Sequence, residues 1–324
     1  MLTIAVIGSG QLGSRHLQAI AKIDIPVEIQ VIDPSYESLK IAKERFEQIS
    51  SNSNVKRISF SNSLDDLHSE IDFCIVATNS DVRAIVIEEL LLKKAVKHLI
   101  LEKILFQTGS EYETIGKLIE KVKVKTWVNF TRRMWPVYKK MHDYLKGVHL
   151  FEVNISGSDW GLATGSIHII DLISYLTGSS DYIINSDLLD SEFVESRRKG
   201  FIEFTGILKG SFNTKPYFSI SSYKDGNIPS IINIISEKCI YMIIEDLGRG
   251  WIYRAAENWS GEEFSFETPY QSQLTQGLIK QIIDTGSSDL PSFEESAKLH
   301  IPMLNSLISF LCRSGREVDR CPIT

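Results

Sequence analysis

An apolar run, LTIAVI, stops at Gly8, and Gly10 and Gly13 complete a G-x-G-x-x-G spacing. Gly8 permits a tight strand-to-helix turn. Gly10 lets backbone approach a pyrophosphate, and Gly13 lets the next helix pack close to the strand. Free N–H groups at the start of that helix would face the phosphates. A second apolar run, VEIQVID, ends at Asp33, about twenty residues on, where an acid meets an adenosine ribose. A carboxylate there accepts hydrogen bonds from the ribose and repels a 2′-phosphate, which points to NAD rather than NADP. Gln11 and Leu12 inside the turn, Thr78 after a later apolar run, and Glu102 with Lys103 complete the expected cofactor-binding set.

Two later clusters could do the proton chemistry that accompanies hydride transfer. Glu102-Lys103-Ile104 follows the fifth expected parallel strand. A lysine at that place can hydrogen-bond a substrate hydroxyl, stabilise an alkoxide or donate a proton. Standing alone, the tripeptide reads rather as a surface lysine. The second cluster is residues 160–178, WGLATGSIHIIDLISYLTG. His168 and Asp171 are three apart and share a face if the segment is helical. Both interrupt an apolar stripe, so they need partners or a wet cleft. A histidine can take a hydroxyl proton near neutral pH, and a nearby acid can fix its tautomer. A structural hydrogen bond is the competing reading of the pair. Zinc is not supported, because two further ligands at suitable spacing are missing. Trp160 either stacks on a ring-shaped substrate or packs as core. Arg133 either binds a carboxylate or phosphate with its planar fork or braces the domain junction.

These residues need a scaffold that brings them to one end of a sheet. The first half alternates expected strands at 3–7, 27–32, 55–60, 72–77, 98–101 and 125–130 with expected helices at 11–23, 36–48, 81–93 and 110–121. That rhythm implies right-handed crossovers and a parallel sheet. After about Asn129 the pattern changes. Helices are expected at 134–144 and 166–176, then strands at 150–156, 201–207, 211–213, 218–223, 230–236, 239–244 and 250–255, and final helices at 272–283 and 293–310. The strand intervals after residue 200 are too short for helical crossovers, so antiparallel order follows. The reading is an α/β protein: a dinucleotide-binding domain over 1–128 and an α+β substrate and oligomerisation domain over 129–324, with a ligand cleft expected where they join. Phe201, Phe204, Phe218, Ile220, Trp251 and Tyr253 are either additional core or a subunit interface.

A chain of 324 residues suits two domains, and its net charge of −6 without a basic tract excludes nucleic acid as an expected partner. Cys74, Cys239, Cys312 and Cys321 show neither metal spacing nor a disulfide framework, as in a reducing compartment. Leu2 to Ile7 is too short for a signal peptide, and no apolar stretch reaches membrane-spanning length. A cytoplasmic protein that binds no membrane is expected.

Taken together, the motifs resemble the Gfo/Idh/MocA oxidoreductase family along nearly the entire chain. Gly8, Gly10, Gly13 and His16 are similar to its amino-terminal signature. Glu102-Lys103-Ile104 resembles its Glu-Lys-Pro segment, with isoleucine in place of proline. NFTRRMWP, residues 129–136, resembles the entry to the second domain, and His168, Asp171 and the sequence YLTG at 175–178 resemble its histidine helix. The resemblance implies a Rossmann domain joined to a domain with a large, predominantly antiparallel sheet. It also implies a homodimer or homotetramer, often assembled through those sheets. The implied substrate is a sugar, cyclitol or sugar derivative, including a nucleotide-linked sugar. The implied chemistry is reversible hydride transfer between a carbinol carbon and nicotinamide, with Lys103 and His168 handling the proton. Asp171, Arg133, Thr164 and Trp160 are the implied substrate-binding residues. Thr164 stands where the family often has an aspartate, and this departure keeps open a noncatalytic NAD-binding regulatory or interaction protein.

Overall fold

The computed structural model describes residues 1–213 and 215–324. These form two compact units. The first comprises Met1–Phe106, Ser110–Thr131 and Pro269–Glu294; the second comprises Gln107–Gly109, Arg132–Thr268 and Glu295–Thr324. Residues 269–294, expected in the second domain, therefore count with the first.

The first unit alternates strand and helix. It runs β1 (Leu2–Ile7), α1 (Gln11–Ile20), β2 (Val27–Ile32), α2 (Tyr36–Glu47), β3 (Val55–Ser61), β4 (Glu70–Val76), α3 (Ser80–Lys93), β5 (Ala95–Leu101), α4 (Gly109–Val122) and β6 (Lys125–Val128). The strands stand in the order β3-β2-β1-β4-β5-β6, with each neighbouring pair parallel. Ile4, Val6, Ile29, Val31, Cys74, Ile75, Leu99 and Ile100 are fully buried. Adjacent residues on one strand point to opposite faces, so both faces of this sheet are covered, as parallel sheets require. Ser35 caps α2 by accepting from Ser38 N.

The second unit contains α5 (Pro136–Leu145), β7 (Leu150–Ser158), α6 (Leu162–Thr177), β8 (Tyr182–Leu189), β9 (Val194–Glu195), β10 (Ile202–Glu203), β11 (Gly206–Phe212), β12 (Tyr217–Tyr223), β13 (Ile231–Ser236), β14 (Cys239–Ile244), β15 (Arg249–Arg254) and β16 (Ser260–Ser265). Eight of these strands form one sheet in the order β16-β15-β14-β13-β7-β12-β11-β8. The β12–β7 pair is parallel and the other pairs are antiparallel. Helix α7 (Gln271–Thr285) returns to the first unit and packs on α1. Helix α8 (Phe293–Arg313) joins the second unit from Glu295 onward.

Several details depart from the sequence expectation, among them strands β8 and β9, which were not expected. The expected strand at 201–207 is split. Thr205 is tied to Asp190 through its hydroxyl (2.7 Å) and through its carbonyl (3.0 Å), and Gly206 turns at φ +99°. Ile202 and Glu203 consequently pair with β9 rather than continue into β11. Helix α6 begins four residues before expected, at Leu162, directly after Gly161 in the left-handed conformation. Strand β16 has almost no apolar signal because it is an exposed edge.

Candidate active site

The glycine turn is built as its sequence demands. Gly8 has φ +86°, and a Cβ there would lie 2.7 Å from Thr78 N. A Cβ on Gly13 would overlap the Gly8 carbonyl, so only glycine lets α1 pack this closely. The space beside Gly10 is open, and α1 has no side-chain cap on its first amides. Asp33 is buried at the end of β2. One of its oxygens accepts from Ser9 N (2.7 Å) and Ser9 Oγ (3.2 Å), and the other accepts from Ser35 N (2.9 Å). It therefore ties the glycine turn to β2 and retains acceptor capacity for a ribose. The buried Thr78 hydroxyl, next to the turn, has no partner among the described residues. An uncapped helix start, an open approach at Gly10, a buried acid and an orphaned hydroxyl fit a dinucleotide.

Behind this turn lies a buried polar network that sequence reasoning missed. His16 Nε2 meets Glu102 Oε1 at 2.8 Å, and His16 Nδ1 meets Thr275 Oγ1 at 2.8 Å. Asn129 Nδ2 donates to Glu102 Oε1 (2.6 Å) and Gln271 Oε1 (2.9 Å). Burial favours the protonated form of Glu102, but the His16 hydrogen bond and charge outweigh it and hold the carboxyl below its usual range. Glu102, expected to touch the cofactor, faces this network instead. His16, Glu102 and Asn129 carried sequence signals in three separate motifs, but nothing joined them; Gln271 and Thr275 lie some 250 residues from His16 in sequence.

Lys103 is half-buried in the loop after β5, and the Lys103–Ile104 peptide is cis. The loop is fixed by Arg83, a buried residue that sequence reading passed over. Its Nη1 donates to the carbonyls of Glu102 (2.6 Å), Ile104 and Leu105 (3.2 Å), and its Nη2 donates to the carbonyl of Thr78. One guanidinium thus links the backbone around Lys103 to the backbone of Thr78.

In the second unit, α6 carries Thr164, His168 and Asp171, and Arg133 and Trp160 precede it in sequence. Thr164, His168 and Tyr175 are half-buried, whereas Asp171 is completely buried. The Asp171 carboxylate belongs to Arg133, whose Nε lies 3.0 Å from both oxygens and whose Nη2 lies 2.7 Å from Oδ1. Arg133 also reaches Glu295 (2.7 Å) and lies over the Tyr175 ring at 5.4 Å. Burial pushes the Asp171 carboxyl up to about 6, against the opposing pull of Arg133. Arg133 and Asp171, expected to meet substrate, are bound to each other, because a buried charge needs a partner. Arg132 likewise has a partner, Glu245, which it grips with two nitrogens at 2.7 and 2.5 Å. Trp160 is half-buried, and its indole N–H donates to the Ser221 carbonyl (2.9 Å). Thr164 donates to Glu203, and the same carboxylate accepts from Ala163 N (2.8 Å). Among the described residues no three His, Cys, Asp or Glu side chains group as metal ligands, and no helix is long and apolar enough to cross a membrane.

Comparison with known proteins gives these features a setting. No curated protein sequence matches the chain. Levoglucosan dehydrogenase in complex with NADH and levoglucosan is a structural neighbour at 16% identity and TM-score 0.71, covering 97% of this chain and 98% of that one. UDP-N-acetylglucosamine 3-dehydrogenase GnnA from Acidithiobacillus ferrooxidans is similar at 15% identity and TM-score 0.69, over 96% of this chain and 99% of that one. The super-repressor mutant of Gal80p from Saccharomyces cerevisiae is similar at 15% identity and TM-score 0.72, over 96% of each chain. At these identities the likeness shows a shared fold. The match in sequence is to the model described as oxidoreductase family, NAD-binding Rossmann fold, over residues 2–130. With the glycine turn, Asp33 and the six-stranded parallel sheet, that match makes residues 2–130 an NAD-binding Rossmann domain similar to that of the Gfo/Idh/MocA oxidoreductase family.

Proposed function

We propose that the chain is an NAD-dependent dehydrogenase acting on a secondary alcohol or ketone of a sugar or sugar derivative, including nucleotide-linked sugars. The observation that carries this reading is Lys103, half-buried in a loop that Arg83 ties to Thr78, in the same unit as the glycine turn. Bound NAD supplies the hydride chemistry; the protein's task is to position groups and manage a proton. Lys103 is assigned to the reacting oxygen, where an ammonium favours the alkoxide. His168 is assigned as proton acceptor, directly or through water. The Arg133–Asp171 pair supports α6, and Trp160 offers a partly exposed ring for a sugar face.

The structures of levoglucosan dehydrogenase and of a UDP-N-acetylglucosamine dehydrogenase support the substrate class by analogy of fold. Four free cysteines support a reducing cytoplasm. Thr164, with the likeness to Gal80p, supports a second reading as a noncatalytic NAD-binding regulator. An absorbance screen for NADH formation and consumption, with free sugars, cyclitols, uronates and nucleotide sugars, tests the first reading. Turnover with a member of these classes is the expected result. NAD binding by calorimetry without turnover across the panel would favour the second.

A further inference from the structure

We propose that Glu203 is the positioning carboxylate for His168, acting through Thr164; as a catalytic role this rests on the dehydrogenase reading above. Thr164 and His168 are four residues apart on α6, so they project from one face with Cβ atoms about 5–6 Å apart. Both are half-buried, while Ala163, Ser166, Ile167 and Ile169 between and around them are buried. Glu203 arrives from a separate element. Strand β10 is held by its pairing with β9 and by Ile202 N donating to the Pro322 carbonyl (2.9 Å). One Glu203 oxygen accepts from Ala163 N at 2.8 Å, and the other accepts the Thr164 hydroxyl proton in a short hydrogen bond.

A hydroxyl carries one proton. With it given to Glu203, Thr164 has none to donate elsewhere and faces its other neighbours as an acceptor. What this turn of α6 presents is therefore the negative charge of Glu203, favoured there by the positive end of the helix. The N-cap, Gly161, has no side chain, so Glu203 also serves as the helix cap. The surrounding elements bring other groups. Helix α5 brings His142, stacked on Tyr175; Arg133 and Glu295 gather at Asp171; Arg197 pairs with Asp159 before the helix, while Tyr217 and Tyr223 of β12 are exposed. The acid bonded to the Thr164 turn is Glu203. A cap needs only an acceptor oxygen, whereas support of an imidazolium needs the charge, and this difference separates the two roles.

The test uses the full chain with isotope-labelled histidine, with the His168 imidazole signals identified from a His168→Gln variant. Glu203→Gln keeps the acceptor oxygen and removes the charge. The His168 titration midpoint is expected to fall by at least about 0.5 pH unit. It is expected to return toward the original value in the Thr164→Asp/Glu203→Gln double variant, which puts an acid on the helix itself. An unchanged midpoint in folded Glu203→Gln would overturn the proposal. Should that variant not fold, the unmodified protein still decides. The carboxyl carbon of a labelled Glu203 is expected to respond at the His168 midpoint, and silence there would equally overturn it. No substrate enters these measurements, so a failed substrate screen would strike the dehydrogenase reading alone.

Discussion

Lys103 and Asp171 are used in opposite ways, and each use has a measurable signature. Lys103 sits half-buried in a loop whose backbone is fixed by Arg83. Replacing it with alanine should leave the fold and NAD affinity nearly intact and lower turnover roughly 10²–10⁴-fold, the usual range for acid–base assistance. Calorimetry with NAD beside steady-state rates would check this; turnover at the original level would remove Lys103 from the mechanism. Asp171 is buried against Arg133 and titrates near 6 in the fold rather than at its ordinary 3.8. Between those values the native state holds a proton that the unfolded chain releases. Stability from this group therefore rises as pH falls from about 6 toward about 4, and above about 6 its ionisation is a standing cost. Urea unfolding across that window should show this slope in the original protein and its loss in Asp171→Asn. Truncation to alanine leaves Arg133 with Glu295 as its remaining acidic partner. It should cost about 3–5 kcal/mol, as breaking a buried pair does.

At the scale of elements, legibility followed locality. Strand β1, the glycine turn, α1 and Asp33 lie within thirty-three residues, and each leaves a local mark: an apolar run, glycine spacing, an acid at a strand end. The contacts that hold Lys103 and Glu102 leave no such mark. Arg83 looks like any polar residue of α3, and Thr275 meets His16 only because α7 returns to pack on α1. Glu203 was hidden because its strand is two residues long and depends on a tie between Thr205 and Asp190. His168 and Asp171 were legible as polar residues on an apolar helix, but spacing could not reveal that Arg133 claims one of them. The glycine turn also yields a sharp expectation. NAD should bind more tightly than NADP by calorimetry, because a 2′-phosphate would meet the buried Asp33 carboxylate. Equal affinities would reject this role for Asp33. Gly13→Ala should abolish binding of either cofactor, since its methyl group would collide with the Gly8 carbonyl and push α1 off β1.

The whole molecule is better judged from its larger sheet, where the six residues left between core and interface now divide. Phe201, Phe204, Phe218 and Ile220 are buried, while Trp251 and Tyr253 are half-exposed. The half-exposed positions form rows in register across the strands. One runs Asn154–Asn233–Met242–Trp251 and the next Glu152–Ile235–Ile240–Tyr253. In the first row Asn233 donates to Asn154 across the pair at 2.9 Å. On the opposite face of the same strands, Ile232, Ile234, Ile243 and Ile252 are core. The sheet therefore keeps a second face of isoleucine, methionine, tryptophan and tyrosine in partial contact with water, a composition usual for a protein interface. A polar rim is present too: β16 at the edge places Glu263 opposite Trp251 in the first row. A face of this composition suits a two-fold pairing of identical chains, and we propose it as the contact through which a homo-oligomer would form. Placing a charge in its centre, as in the Met242→Glu/Trp251→Glu double variant, would bury unpaired carboxylates in any such interface while leaving the opposite, core face untouched. Light scattering on the eluting protein should give a multiple of the 36.7 kDa chain for the original and a monomer for the variant. A monomer in both would leave the exposed face without this explanation.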